Sequence, residues 1–147
     1  MDPEFVEMLS ALSAADAEFL VVGAHALAAH GVPRATGDLD LWVRGTPENA
    51  RRVMVALKSF GAPLFGLSVE ELSTPGIVFQ IGVAPLRIDI LTSITGVEFE
   101  GAWERRTEME LGGVRFGVLS REDLVENKRA TGRPKDLLDI ESLESGR

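Results

Sequence analysis

Cysteine is absent from the chain, which excludes disulfides and thiolate metal sites. No apolar run approaches the roughly 18 residues that a membrane-spanning helix requires. The opening stretch, "MDPEFVEMLSALSAADAEF", is acidic and lacks the basic and apolar regions of a secretory signal. Positive charge is scarce: 15 Lys and Arg stand against 23 Asp and Glu, a net charge of −8. Such a chain repels a phosphate backbone unless it carries a local basic patch or metal ions, so bulk nucleic-acid binding is not expected. Repeats, low-complexity tracts and long linkers are missing too. These absences fit a cytoplasmic protein and a single domain over residues 1–147, long enough to bury a real core.

Helical and strand patterns alternate along this domain. Phe5, Met8, Leu9 and Leu12 recur at three- and four-residue spacing and predict an amphipathic helix. "EFLVVG" reads as a strand ending at Gly23, and residues 24–30 as a helix closed by Gly31 and Pro33. "DLDLWV" (38–43) reads as the second strand. Thr46, Pro47 and Glu48 start a helix that runs to about Phe60. "GLSVEELSTPG" is a short helix or loop, and "IVFQIG" and "LRIDIL" are strands. "ERRTEMELGGVRFGVLS" reads as a hairpin turning at Gly112-Gly113. Ser120 caps a helix, and a second helix follows the break at Gly132 and Pro134. The expected fold is α/β: a small, twisted mixed sheet, helices mainly on one face, and a C-terminal helical pair.

Three aspartates break the apolar strand pattern. Side chains alternate along a strand, so Leu39, Leu41 and Val43 supply a core face and Asp38, Asp40 and Trp42 point the other way. Two carboxylates then share one face, roughly 7 Å apart at their Cα atoms. Like charges that close raise each other's pKa unless something positive lies between them. A divalent cation such as Mg²⁺ or Mn²⁺ is the simplest partner. In "LRIDIL", Arg87 and Asp89 share the non-core face in the same way. If the two strands are neighbours, Asp38, Asp40 and Asp89 can converge. Three carboxylates could hold two metal ions about 3.5–4 Å apart, the arrangement of in-line phosphoryl displacement. At Gly23 a strand passes directly into a helix, whose free N–H groups suit a phosphate, and glycine permits close backbone approach.

The ordered set "VVGAHALAAHGVPRATGDLDLWV", "LRIDIL" and "SREDLVENKRATGRPKDLLDIESL" resembles the nucleotidyltransferase superfamily related to DNA polymerase beta, and within it the small AbiEii-type branch that includes toxin nucleotidyltransferases. The resemblance spans about Phe5 to Leu143 and includes the Arg-x-Thr-x-Asp-x-Asp run from Arg34 to Asp40. It implies that Gly23 and the amide of Ala24 grip a triphosphate, with Arg34 and Thr36 beside them. It implies that Asp38, Asp40 and Asp89 are catalytic and bind metal, Asp89 also drawing a proton from the acceptor hydroxyl. Lys128, Arg133, Lys135, Asp136 and Asp139 match the late charged cluster of the toxin branch, with Lys128 or Arg133 reaching the triphosphate. Ala24 departs from the family pattern, which has glycine or serine there.

The activity so implied is metal-dependent transfer of a nucleoside monophosphate from an NTP, with release of pyrophosphate. The acceptor is open: an RNA end, a protein hydroxyl or an aminoglycoside-like small molecule. The alternative is a nucleotide-binding or partner-binding module with weak or no catalysis, acting on a protein partner in a toxin–antitoxin-type pair. Individual residues also have ordinary readings. Asp38 could be a turn residue and Asp40 a solvated one, Asp89 a member of an exposed ion pair, and Gly23 only a tight turn. Arg34 could solvate a loop, and the C-terminal charges could form an exposed helix face. His25 and His30 are five apart, which is not a helical metal pair. Trp42 and Trp103 could stack on a base or be buried.

Overall fold

The computed structural model describes residues 1–34, 37–83 and 85–145. Helix α1 (Pro3–Ala14) is capped by Asp2, whose side chain accepts the Glu4 N–H, and it buries Phe5, Met8, Leu9 and Leu12 as their spacing predicts. Strand β1 (Phe19–Val22) passes straight into α2 (Gly23–Ala29). Strand β2 (Asp38–Val43) coincides with "DLDLWV". Helix α3 (Pro47–Phe60) begins at Thr46, whose hydroxyl accepts the Asn49 N–H. A one-turn helix, α4 (Val69–Leu72), closed by a Ser68–Glu71 capping box, precedes β3 (Val78–Val83) and β4 (Leu86–Leu91). Helix α5 (Phe99–Arg105) leads into the hairpin of β5 (Thr107–Leu111) and β6 (Val114–Val118), which turns at Gly112-Gly113. Helices α6 (Arg121–Thr131) and α7 (Pro134–Ser145) end the chain.

Helix α5 was not expected. The predicted hairpin began at Glu104, but Glu104 and Arg105 finish α5 and the strand starts at Thr107. Seven residues with Gly101 among them are too few to display a helical period. Tertiary contacts hold this helix instead. Phe99 meets Trp42 edge-on at 5.0 Å and stacks on Trp103 at 5.8 Å, and Ala102 is buried.

The six strands form one mixed sheet in the order β3-β4-β2-β1-β6-β5. The β2–β4 and β1–β6 pairs are parallel; the others are antiparallel. Central β1 is buried along its whole length. Leu39, Leu41, Val43, Ile88 and Ile90 are buried on one face, and α1 packs against α3 and β6. Each such side chain contributes roughly 1.5–3 kcal/mol on burial. That is ample to hold β2 in register while its other face seats carboxylates. Trp42, on that other face, is also buried, because α5 covers it.

Candidate active site

Register brings the three aspartates to one face. In the parallel β2–β4 pair, Asp38 lies opposite Arg87 and Asp40 opposite Asp89. Residues opposite one another in a sheet project to the same side. On the other flank of β2, Asp40 pairs with Val22 at the very end of β1. The turn into α2 therefore lies against the Asp40 side chain. Gly23 has φ +67°, and a Cβ there would overlap Asp40 Oδ2 and lie 3.1 Å from its Cγ. Glycine at this point is thus required by backbone angle and by space. A second close approach lies at Gly37, where a Cβ would collide with the Pro85 carbonyl, while the Arg87 N–H donates to the Gly37 carbonyl at 2.9 Å.

The guanidinium of Arg87 lies among the carboxylates. Its Nε donates to Asp89 Oδ1 at 3.0 Å, and its Nη2 donates to Asp89 Oδ2 at 3.2 Å and to Asp38 Oδ2 at 3.0 Å. Asp89 is 7% exposed. Burial and the neighbouring charges of Asp89 and Asp38 push the Asp40 carboxyl up to about 6, against the smaller opposing pull of Arg87 and Lys128. Asp40 is therefore a carboxylate short of positive charge. Among the described residues, no three carboxylate or imidazole groups already stand so as to hold a metal ion. The three expected carboxylates share one strand face without forming a three-ligand metal cage, and Arg87 is paired to two of them.

The C-terminal helices close over this face. Ser120 caps α6 by accepting the Asp123 N–H, and α6 ends at Gly132 before Pro134 opens α7. The break lets α7 return beside α6 with Asp136 and Asp139 turned inward, both buried. Lys128 Nζ lies 3.1 Å from Asp139 Oδ2 and 3.6 Å from Asp136 Oδ1. Arg133 binds Asp136 through Nε at 2.7 Å and Nη2 at 3.2 Å, and the Thr131 hydroxyl donates to Asp136 at 2.7 Å. The Arg133 bonds, with help from Thr131, hold the Asp136 carboxyl well below the usual carboxylate range despite its burial. Arg34, just before β2, is ion-paired to Asp139. The ordinary helix pairing of Lys135 with Asp139 is therefore displaced by a buried network that ties three parts of the chain together.

A cavity of about 340 Å³ lies between these parts. The β1–α2 turn contributes Gly23 and Ala24. The approach to β2 contributes Arg34, and the strand itself Asp38 and Asp40. The α6–α7 pair contributes Lys128, Arg133, Lys135 and Asp139. Neither Asp89 nor Arg87 is among the lining residues, although both share the strand face of Asp38 and Asp40. Thr36 falls outside the described residues. The ordinary alternative of an exposed helix face does not hold for Lys128, whose side chain is only 12% exposed because it neutralises two buried carboxylates. Asn127, which lines the cavity and donates to the Thr95 carbonyl at 2.9 Å, was missed; a single amide in a charged run carries no sequence signal. The tryptophans do not line the cavity: Trp42 is core, and Trp103 lies between Phe99 and Arg106. His25 meets Phe5 edge-on and His30 Nε2 lies 2.8 Å from the Leu119 carbonyl, so neither serves a metal pair.

The structure is similar over its whole length to lincosamide antibiotic adenylyltransferase LnuA in its lincomycin-bound form (TM-score 0.60, 13% identity, covering 100% of this chain and 98% of that one). It is similar also to the Thermotoga maritima protein TM1012, a nucleotidyltransferase by assignment (TM-score 0.58, 18% identity, covering 99% and 93%). At such identities the likeness shows the fold. The family comes from the sequence: the chain belongs to the nucleotidyltransferase family DUF6036, a family of unknown function, whose model matches residues 4–144. No curated protein matches the chain by sequence.

Proposed function

We propose that the chain transfers a nucleoside monophosphate from an NTP to an acceptor hydroxyl. The acceptor oxygen forms a bond to the α-phosphorus, the bond from that phosphorus to the α,β-bridging oxygen breaks, and pyrophosphate leaves. The observation that carries this reading is the shared cavity: Asp38 and Asp40 on one strand face, against the Gly23 turn, opposite Arg34, Lys128 and Arg133. A triphosphate would draw Arg34, Lys128 and Arg133 partly away from Asp136 and Asp139, to which they are now paired. The amides of Gly23 and Ala24 and the three cations would hold the phosphates; Ala24 retains its N–H in place of the family's glycine or serine. The protein's contribution is positioning and charge.

A divalent cation, Mg²⁺ or Mn²⁺, fits the donor set. Magnesium is commonly held by one or two carboxylates with substrate phosphates completing its shell, and Asp38 and Asp40 line the cavity as such a pair. When bound, the ion would neutralise triphosphate charge and polarise the acceptor oxygen. The acceptor's proton was expected to go to Asp89. Asp89 is paired to Arg87 on the face that also carries Asp38 and Asp40, so its use as the proton recipient would require that pair to loosen.

The finer placement in the AbiEii-type branch rests on the charged α6–α7 segment. The acceptor classes are an RNA end, a protein hydroxyl and a small-molecule hydroxyl. The last is favoured by the likeness to LnuA, a fold of the same extent whose bound ligand is lincomycin, a small antibiotic. The test is incubation of the chain with each α-labelled NTP and Mg²⁺ or Mn²⁺, in the presence of total RNA, protein lysate or a small-molecule extract. Labelled acceptor plus pyrophosphate, lost in Asp40→Asn, is expected. NTP binding with no pyrophosphate in any mixture would leave a nucleotide-binding module instead.

A further inference from the structure

Arg87 is placed by backbone register, not by chance of rotamer. It lies opposite Asp38 across the β2–β4 pair and two residues before Asp89 on its own strand, so all three side chains share one face. Its planar fork grips Asp89 through two nitrogens and Asp38 through one. The carboxylate oxygens it occupies are among those a cation would use. Its side chain is one-third exposed, so it has an open path away from Asp38. The charged groups that face it are Asp38, Asp89 and, without a direct bond, Asp40.

We propose that Arg87 is the resident counter-ion of this carboxylate set and competes with the divalent cation for Asp38. The proposal rests on the nucleotidyl-transfer reading for the position of the cation. In the metal-free chain the guanidinium bridges Asp38 and Asp89. On cation entry the single bond to Asp38 is released while the two-pronged grip on Asp89 persists. Asp38 then joins Asp40 at the cation, and Asp89 serves as the anchor that keeps Arg87 nearby. The site would thus be weak for metal alone and would fill together with the nucleotide, whose phosphates supply the remaining ligands. Arg87 is a positioning residue in this scheme.

The test is Mn²⁺ binding to the nucleotide-free chain, read from the electron paramagnetic resonance signal of free Mn²⁺, with melting curves alongside. Arg87→Gln removes the bridge and the charge. Arg87→Lys keeps the charge but cannot span both carboxylates, and it remains the measurable variant if Arg87→Gln fails to fold. Both should bind Mn²⁺ more tightly than the parent, Arg87→Gln by about tenfold or more. Both should melt lower without metal and gain more from Mn²⁺ than the parent does. Affinity unchanged or weakened in both variants overturns the proposal. So does tightening in Arg87→Gln with Arg87→Lys identical to the parent, which would be a bulk charge effect. Tightening that survives Asp40→Asn places the ion elsewhere and removes both readings. The expected affinity pattern with no label transfer to any acceptor would remove catalysis and leave the counter-ion role standing.

Discussion

Asp40 places a carboxylate oxygen 2.3 Å from where residue 23 would carry a Cβ if it were anything but glycine. Strand β1, its turn and the acid on β2 are therefore one steric unit. Gly23→Ala should strain the turn by about 1–2 kcal/mol through the left-handed backbone angle. It should also push the Asp40 carboxylate off its position. The expected outcome is a lower melting temperature together with loss of most pyrophosphate release. Full activity in a folded Gly23→Ala chain would contradict the close packing.

Charging Asp40 should cost stability. Its folded pKa, about 6, lies above the ordinary value of 3.8, so the folded state holds the proton more tightly. The contribution to stability is fully present below about pH 4 and is lost as pH rises through 6. The melting temperature of Asp40→Asn relative to the parent should therefore climb between pH 4 and 6.5 and then level off. Added Mn²⁺ should raise the parent and shrink the difference. A flat difference across that range would refute the shift.

Lys128 belongs to the scaffold as well as to the cavity. Removing it leaves buried Asp136 and Asp139 with Arg133 and Arg34 as their remaining ion-pair partners among the described residues. Lys128→Ala should cost about 3 kcal/mol, the scale for breaking a buried pair, and be measurable by urea unfolding. Lys128→Met keeps the stem, so its effect on NTP binding should be read well below its melting point.

Asp136 should make the α6–α7 pair acid-sensitive. Its carboxyl is held below the usual range chiefly by Arg133, so its contribution is present above about pH 4 and is lost as pH falls below that. Asp136→Asn should flatten the acid limb of the melting curve against pH. An acid limb equally steep in the variant would place the sensitivity in other carboxylates.

Asp38→Asn and Asp40→Asn should each lower label transfer by at least about 100-fold, the scale for loss of a preorganised electrostatic group at a reacting centre. Circular dichroism should show the fold retained, because both side chains lie on the cavity side of β2 and its opposite face, Leu39, Leu41 and Val43, is untouched.

Much of the architecture was legible because it rests on local rules. The period of Leu39, Leu41 and Val43 marked the core face of β2, and that alone put Asp38 and Asp40 together on the other face. Gly23, Gly112-Gly113 and the Gly132–Pro134 break marked turns that glycine and proline enforce on any chain. The short helix α5 left no such mark, since its stability comes from Phe99 and Trp103 meeting Trp42 across the fold.

What the sequence by itself determined is which residues share a face and where the chain must turn, because alternation and backbone sterics act over a few residues. Which carboxylate is available was decided only by the tertiary structure. Parallel pairing of β2 with β4 set Arg87 beside Asp38 and Asp89, leaving Asp40 as the charge-starved acid. The return of α7 buried Asp136 and Asp139 and drew Lys128, Arg133 and Arg34 onto them. Electrostatic partnership depends on distance through space and on exclusion of water, and neither quantity exists until strands have found their register and helices have packed.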